Sequence, residues 1–170
     1  KYGHRDNIVF VLGDAENLKE YFMEKFDAIF YTASIFLIPN FRKSLREAFS
    51  LLNPGGKVAI SFYSGLSDIE GSDVVKKHFP DFKYRYGAFS LSDLFSFLKG
   101  ERVDHFTTDY IFPASREFIR DFLSIPAQAS GLFPRQPYSR QKVLVEEFLD
   151  DLYSREDEIY MKWTFIIIST

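Results

Sequence analysis

The feature that most narrows the fold is a strand, helix, strand pattern between Phe26 and Tyr63. Phe26-Asp27-Ala28-Ile29-Phe30-Tyr31 is a short apolar run that breaks into Thr32-Ala33-Ser34, as a buried parallel strand does at its functional end. Pro39-Asn40 stop one element and start another. Asn40 is a good helix N-cap, and Phe41, Leu45, Ala48, Phe49 and Leu52 follow at helical spacing, with Arg42, Lys43, Arg46 and Glu47 on the other face. Asn53-Pro54-Gly55-Gly56 closes that helix with a turn that needs glycine's backbone freedom. Lys57-Val58-Ala59-Ile60-Ser61-Phe62-Tyr63 is a second apolar strand, and strand, helix, strand in that order is the signature of a parallel pair.

A chain of 170 residues is of single-domain size and long enough to bury a core. Hydrophobic residues at 46% and aromatics at 18% exclude a disordered or fibrous chain. The net charge of -3 gives no general attraction to nucleic acid or to anionic membrane, so neither is expected as a partner. Without cysteine there is no disulfide framework, no thiolate metal site and no cysteine nucleophile. No apolar run approaches membrane-spanning length and Lys1 to Asn7 is not a signal peptide, which makes a soluble cytoplasmic protein the default expectation.

The rest of the chain carries shorter signals. Leu18, Tyr21 and Phe22 predict a short helix, and Tyr21 with Lys25 spells the Tyr-x-x-x-Lys of short-chain dehydrogenases without the nucleotide-binding glycines that should accompany it. Ser64 to Phe89 reads as irregular, with a short helix through Val74-Val75 and an alternating Lys83-Tyr84-Arg85-Tyr86 that suits an exposed strand or base stacking. Ser90 and Asp93 suggest a capping box before a helix ending at Gly100. Phe106, Thr108, Tyr110 and Phe112 alternate as a half-buried strand would, and Tyr160 to Ile168 reads as a central strand buried on both faces. Between these two strands, residues 113–159 predict a helix with Phe118, Ile119, Phe122 and Leu123, then a proline-bearing loop. A helix from Ser139 follows, burying Val143, Leu144, Phe148 and Leu152. An insertion of this size is usually functional, and it reads as a lid over the substrate end of a cleft, with a dimer surface or helical decoration as the alternative.

Phe26-Asp27-Ala28-Ile29-Phe30, Ile38-Pro39-Asn40 and Leu51-Leu52-Asn53-Pro54-Gly55-Gly56-Lys57-Val58 together resemble the core of class I S-adenosylmethionine-dependent methyltransferases acting on small molecules. Upstream, Val9-Phe10-Val11-Leu12-Gly13-Asp14-Ala15-Glu16 is similar to the same family's strand ending in a Gly-Asp-Ala turn. The resemblance implies an α/β, Rossmann-like, mostly parallel sheet with an antiparallel C-terminal strand pair, the last strand inserting beside the one that ends at Tyr63. It also implies an earlier glycine-rich turn and a ribose-binding acid that are not among these residues. Residues 1–170 are therefore expected to be a single incomplete methyltransferase domain, the C-terminal part of a longer polypeptide, with 113–159 as its helical lid.

The same resemblance implies the cofactor S-adenosylmethionine and a small-molecule substrate. Gly13, Asp14, Ala15 and Glu16 fall where the family holds the adenine, Asp14 accepting its amino group; a turn role for Asp14 is the alternative. Thr32, Ala33 and Ser34 fall where small residues run along the cofactor. Phe36-Leu37 stand where many small-molecule members have two histidines, which implies either an apolar substrate wall, shared with Tyr63, or a nucleophile already deprotonated. No catalytic residue is identified: Tyr63, Tyr138 and Arg135 are weak candidates, and His105 and His4 read as structural or solvated. No His, Asp and Glu cluster has metal spacing. The rival expectations are a methyltransferase-like non-catalytic binding or scaffold module, a homodimer through the insertion, and a nucleotide-dependent oxidoreductase.

Overall fold

The computed structural model describes residues 8–82 and 89–170. Lys1 to Asn7 and Lys83-Tyr84-Arg85-Tyr86, with the readings made of them, lie outside the described residues. Strands β1 (Phe26–Thr32), β2 (Leu52–Ser67), β3 (Asp104–Pro113) and β4 (Tyr160–Ser169) form one sheet in the order β1-β2-β4-β3. The β1 and β2 strands pair in parallel, whereas β4 runs antiparallel to both its neighbours. Helix α1 (Phe41–Ser50) makes the crossover between the parallel pair, and the Asn40 side chain accepts the Lys43 N–H at 3.2 Å as its N-cap. Gly55, at φ +80, turns the Asn53 to Gly56 segment out between the Phe26–Leu52 and Ala28–Lys57 pairs.

Side chains alternate across a strand and cross-strand partners share a face, so the register sorts the sheet into two sides. On one side Tyr31, Val58, Ile60, Phe62, Ile166 and Ile168 are buried in a single cluster. Phe41, Leu45 and Ala48 of α1 cover them, joined by Leu94, Phe97 and Leu98 of α3 (Leu91–Glu101). Ser90 starts α3 by accepting the Asp93 N–H, while its hydroxyl donates to the Asp93 carboxylate at 2.7 Å. The other side is bare over most of its length: Phe30, Phe106 and Tyr110 are 71%, 62% and 61% exposed. Only its end is covered. There Tyr63, Leu66 and Met161 pack into a second cluster with Val74 of α2 (Val74–His78), Ile119 and Leu123 of α4 (Arg116–Leu123), and Leu132 of α5 (Pro126–Leu132). Val145, Phe148, Leu149 and Leu152 of α6 (Tyr138–Tyr153) complete it.

Several expectations change. Ile8 to Leu12 is not a strand: no described strand lies beside it to complete its backbone hydrogen bonds, and Leu12 is 100% exposed. The β4 strand is central in order but buried mainly on one face, because only the end of the second side is covered among the described residues, and β3, at the edge of the sheet, is almost wholly exposed. Helix α3 runs past Gly100 to Glu101, and the left-handed closing residue is Arg102, at φ 57. Helix α6 turns Val143 to solvent and leaves Leu144 half-buried. It packs Gln141 inward instead, where the side-chain amide donates to the Phe133 carbonyl at 3.1 Å and so tolerates burial.

The two sides make opposite stability predictions for this chain. Ile60→Ala is expected to lose about 2–5 kcal/mol in urea unfolding, whereas Phe30→Ala should stay within about 0.5 kcal/mol. Tyr31, buried at the end of β1, shares a 2.8 Å hydrogen bond with the Ser44 hydroxyl of α1. Burial raises its phenol pKa above the ordinary tyrosine value, against the Ser44 hydrogen bond and with help from the Glu47 charge. The neutral phenol therefore contributes stability that is complete below about pH 10 and is lost as pH rises through the folded value. Unfolding measured across this range should show wild type losing more stability than Tyr31→Phe.

Candidate active site

The carboxyl end of β1 is built by an unusual backbone. Thr32 pairs with Ser61 in β2, and the next amide, of Ala33, donates to the Ser61 carbonyl at 2.7 Å. Ala33 has φ +48, a left-handed conformation costing a non-glycine residue about 1 kcal/mol, of the kind that collects at functional edges. Ser34 leads into a 3-10 turn, Ile35–Leu37, and Asn40 then opens α1.

The Gly13 to Glu16 turn is fastened to this same edge. Asp14 organises it, one carboxylate oxygen accepting the Glu16 N–H at 2.9 Å and the other the Asn17 side-chain amide at 3.0 Å. The Glu16 carboxylate accepts the Asn40 N–H at 2.7 Å, the Lys43 ammonium donates to the Asn17 side chain, and the Lys19 N–H donates to Glu47 at 3.0 Å. Asp14 and the Thr32 to Ser34 corner are thereby drawn to one end of the sheet. Beside the turn lies a small cavity of about 130 Å3 between Val11, Asp14, Ala15 and Leu18. Tyr21 packs here: a Cβ on Gly13 would come within 2.8 Å of its ring, so any larger residue there would push the ring aside. Lys25 donates to the Ser50 carbonyl rather than toward Tyr21, so the Tyr-x-x-x-Lys arrangement of a dehydrogenase does not form.

A larger cavity of about 210 Å3 opens further along β2, among Tyr63, Leu66, Val75, Phe82, Leu132 and Phe148. The β2 register shifts between Tyr63 and Gly65, and Gly65 has φ +150. Such a bulge re-aims the strand. The Tyr63 ring stands edge-on to Phe122 of α4 at 5.0 Å, so helices of the insertion roof this end of the sheet. Of the sequence candidates, Tyr63 lines this cavity and Phe36, Leu37, Tyr138 and Arg135 do not. Phe36 packs half-buried against the α1 side, and Leu37 is 61% exposed. The Tyr138 hydroxyl donates to the Ser124 carbonyl at 2.9 Å, and Arg135 is an exposed residue at φ 68.

His105 stacks on Phe95 at 5.3 Å, a packing role. The sequence reading passed over His78, whose ring meets the Glu156 carboxylate at 2.6 Å while Lys77 does the same. Lys77 foremost, then His78, holds the Glu156 carboxyl below its usual range. This cluster ties α2, which supplies one cavity wall, to the segment after α6. Helix α2 has five residues, too few for a periodicity that would have announced its packed side. Among the described residues no group of three His, Asp or Glu side chains could hold a metal ion, and no helix is long and apolar enough to cross a membrane.

Comparison with known proteins decides the family. Residues 3–96, more than half of the chain, match the model of a methyltransferase domain. The chain belongs to this family. It is an S-adenosylmethionine-dependent methyltransferase of class I, with S-adenosylmethionine as its cofactor. No curated protein sequence matches it. Among solved structures, the assigned methyltransferase BH2331 of Bacillus halodurans C-125 is 15% identical with a TM-score of 0.56, over 98% of this chain and 73% of its own. YcgJ of Bacillus subtilis is 16% identical with a TM-score of 0.52, over 93% of this chain and 69% of its own. An assigned sarcosine dimethylglycine methyltransferase of Galdieria sulphuraria is 16% identical with a TM-score of 0.53, over 98% of this chain and 61% of its own. These likenesses show the fold.

The adenine end of the methyltransferase cofactor is compatible with the Asp14 turn. Each Asp14 oxygen accepts one hydrogen bond from the turn and has a second lone pair left for an exocyclic amine, and the Ala15 N–H has no acceptor among the described residues. Turn residue and adenine acceptor are thus not exclusive roles for Asp14. Removing the Glu16 tether should loosen this region selectively. Glu16→Ala is expected to speed hydrogen exchange of the amides of residues 17–21 by roughly fivefold, equivalent to about 1 kcal/mol, and to leave β2 amides unchanged.

Proposed function

We propose that this methyltransferase acts on a small organic acceptor, and that the edge joining Asp14 to Ser34 is its cofactor slot. The supporting observation is the Glu16–Asn40 hydrogen bond, which fastens the Gly-Asp-Ala turn beside the left-handed Ala33 corner. In this reading Asp14 accepts the adenine amino group, the Ala15 amide donates to the ring, and Gly13 and Glu16 shape the turn around them. Thr32, Ala33 and Ser34 are small enough to lie along the cofactor toward the transferred methyl. The bound cofactor supplies an activated methyl carbon, passed to the acceptor by in-line displacement. The chain's own contribution is alignment and exclusion of water, which needs no obligatory catalytic side chain.

Tyr63 forms the acceptor wall, with Phe36 and Leu37 flanking the cofactor side. Residues 113–159 serve as the lid, a role supported by the contact of Phe122 with Tyr63 and by Leu123, Leu132 and Phe148 in the cavity wall. Tyr138 and Arg135 act in holding the lid's loop rather than in the reaction. The glycine-rich turn and the ribose-binding acid belong to further chain, a reading in keeping with the 73%, 69% and 61% of the related structures that this chain spans.

Isothermal titration of S-adenosylhomocysteine against the full natural polypeptide tests the slot. Asp14→Ala is expected to weaken binding by roughly ten- to a hundredfold, the scale of a lost hydrogen bond to a charged group. Undiminished binding would remove Asp14 from the cofactor site.

A further inference from the structure

The cavity beneath the insertion narrows the class of acceptor. It begins at Tyr63, two residues beyond Ser61, whose carbonyl receives the Ala33 amide. At about 3.3 Å per residue, this end of the cavity lies roughly 7 Å along β2 from the corner assigned to the methyl group. Tyr63 shares a sheet face with Ser61 and with Thr32, because these residues alternate along β2 and Ser61 pairs with Thr32. The cavity is therefore on the reacting side of the sheet.

Its shape comes from specific devices. The bulge at Ser64 and the glycine conformation at Gly65 swing β2 around the space, and a Cβ at Gly65 would meet nothing within 4 Å. Leu66, Phe82, Leu132 and Phe148 form the apolar part of the wall, with the Phe82 and Phe148 rings stacked 5.3 Å apart at an interplanar angle of 18°, while Ser64, Asp73 and Lys76 add polar atoms to the rest. The charged lining residues, Asp73 and Lys76, are exposed and carry opposite signs, so they cancel at the mouth. Asp73 is also committed in part as the N-cap of α2, accepting the Lys76 N–H at 2.8 Å. A zwitterion can pair with Asp73 and Lys76 only at the exposed mouth; to go deeper, it or a phosphate would have to shed its water against Leu66, Phe82, Leu132 and Phe148, a cost of several kcal/mol. A volume of about 210 Å3 is also below the roughly 300–1,000 Å3 typical of drug-sized ligands.

We infer that the acceptor is an uncharged compound built on a single ring or an equally compact hydrocarbon body, held in this cavity with its reacting group toward Tyr63. This rests on the methyl-transfer reading above. It sets the chain apart from methyltransferases that take amino-acid or phosphorylated acceptors.

Isothermal titration of the full natural polypeptide with 4-methylphenol and, separately, with glycine tests this. Saturable 4-methylphenol binding is expected, weakened about tenfold or more by Leu132→Phe and by Val75→Phe, each of which forces extra volume into the space. Val75 is only half-buried, so that variant keeps the test valid should Leu132→Phe unfold. Glycine binding without 4-methylphenol binding, or 4-methylphenol binding untouched by both variants, would overturn the inference. S-adenosylhomocysteine titrated into the same samples separates the two readings. If it binds while 4-methylphenol does not, the cavity assignment fails alone; if it fails to bind while 4-methylphenol binds as expected, the methyl-transfer reading fails and the ligand class stands.

Discussion

The parallel pairing of β1 with β2, locked at its end by the Ala33 amide on the Ser61 carbonyl, is the constraint from which the rest follows. Two parallel strands in register must finish at the same edge, and the helix between them must return to the opposite one. Helix α1 consequently starts close to where β1 stops, and Asn40 becomes available to the Glu16 carboxylate. The β2 strand does not stop with β1. It continues from Ser61 to Ser67 through a bulge, and that overhang is what the helices after β3 pack upon.

This arrangement explains why so little dedicated chemistry is visible. A reaction whose energy is stored in its cofactor asks the protein for placement, and the edge proposed for it is shaped by backbone. A left-handed alanine, a glycine pressed by a tyrosine ring and a bulge with its own glycine set the geometry. None of these depends on a titrating side chain. The ion pairs stand elsewhere, as braces: Lys77 and His78 on Glu156, and Lys162 on Asp109 between β3 and β4.

What could be read from sequence was whatever local chemistry enforces. Asn40 as a cap, Gly55 at positive φ and Ser90 with Asp93 all act over a few residues, so their patterns survive in one dimension. The misjudged features depend on neighbours. Ile8 to Leu12 has a strand's composition and lacks a strand's partners, and β4 has two apolar sides of which one is covered. Helix α6 buries Phe148 and Leu152 as its spacing predicts, but takes Gln141 in place of Val143 because the amide finds the Phe133 carbonyl. Of the residues now proposed for the site, Asp14, Ala33 and Tyr63 stood out in the sequence. Val75, Phe82 and Leu132 did not, since what gathers them is a bulge and a five-residue helix rather than a motif.

The bare side of the sheet has a practical bearing. Phe30, Phe165, Ile167, Phe106 and Tyr110 form neighbouring rows of hydrocarbon across β1, β4 and β3, and β1 also offers unused backbone groups along its outer edge. Surfaces of that kind attract one another in water. Particle size measured on this chain by itself would then report adhesion between wet apolar rows, and a dimer seen that way would say nothing about how the working enzyme assembles.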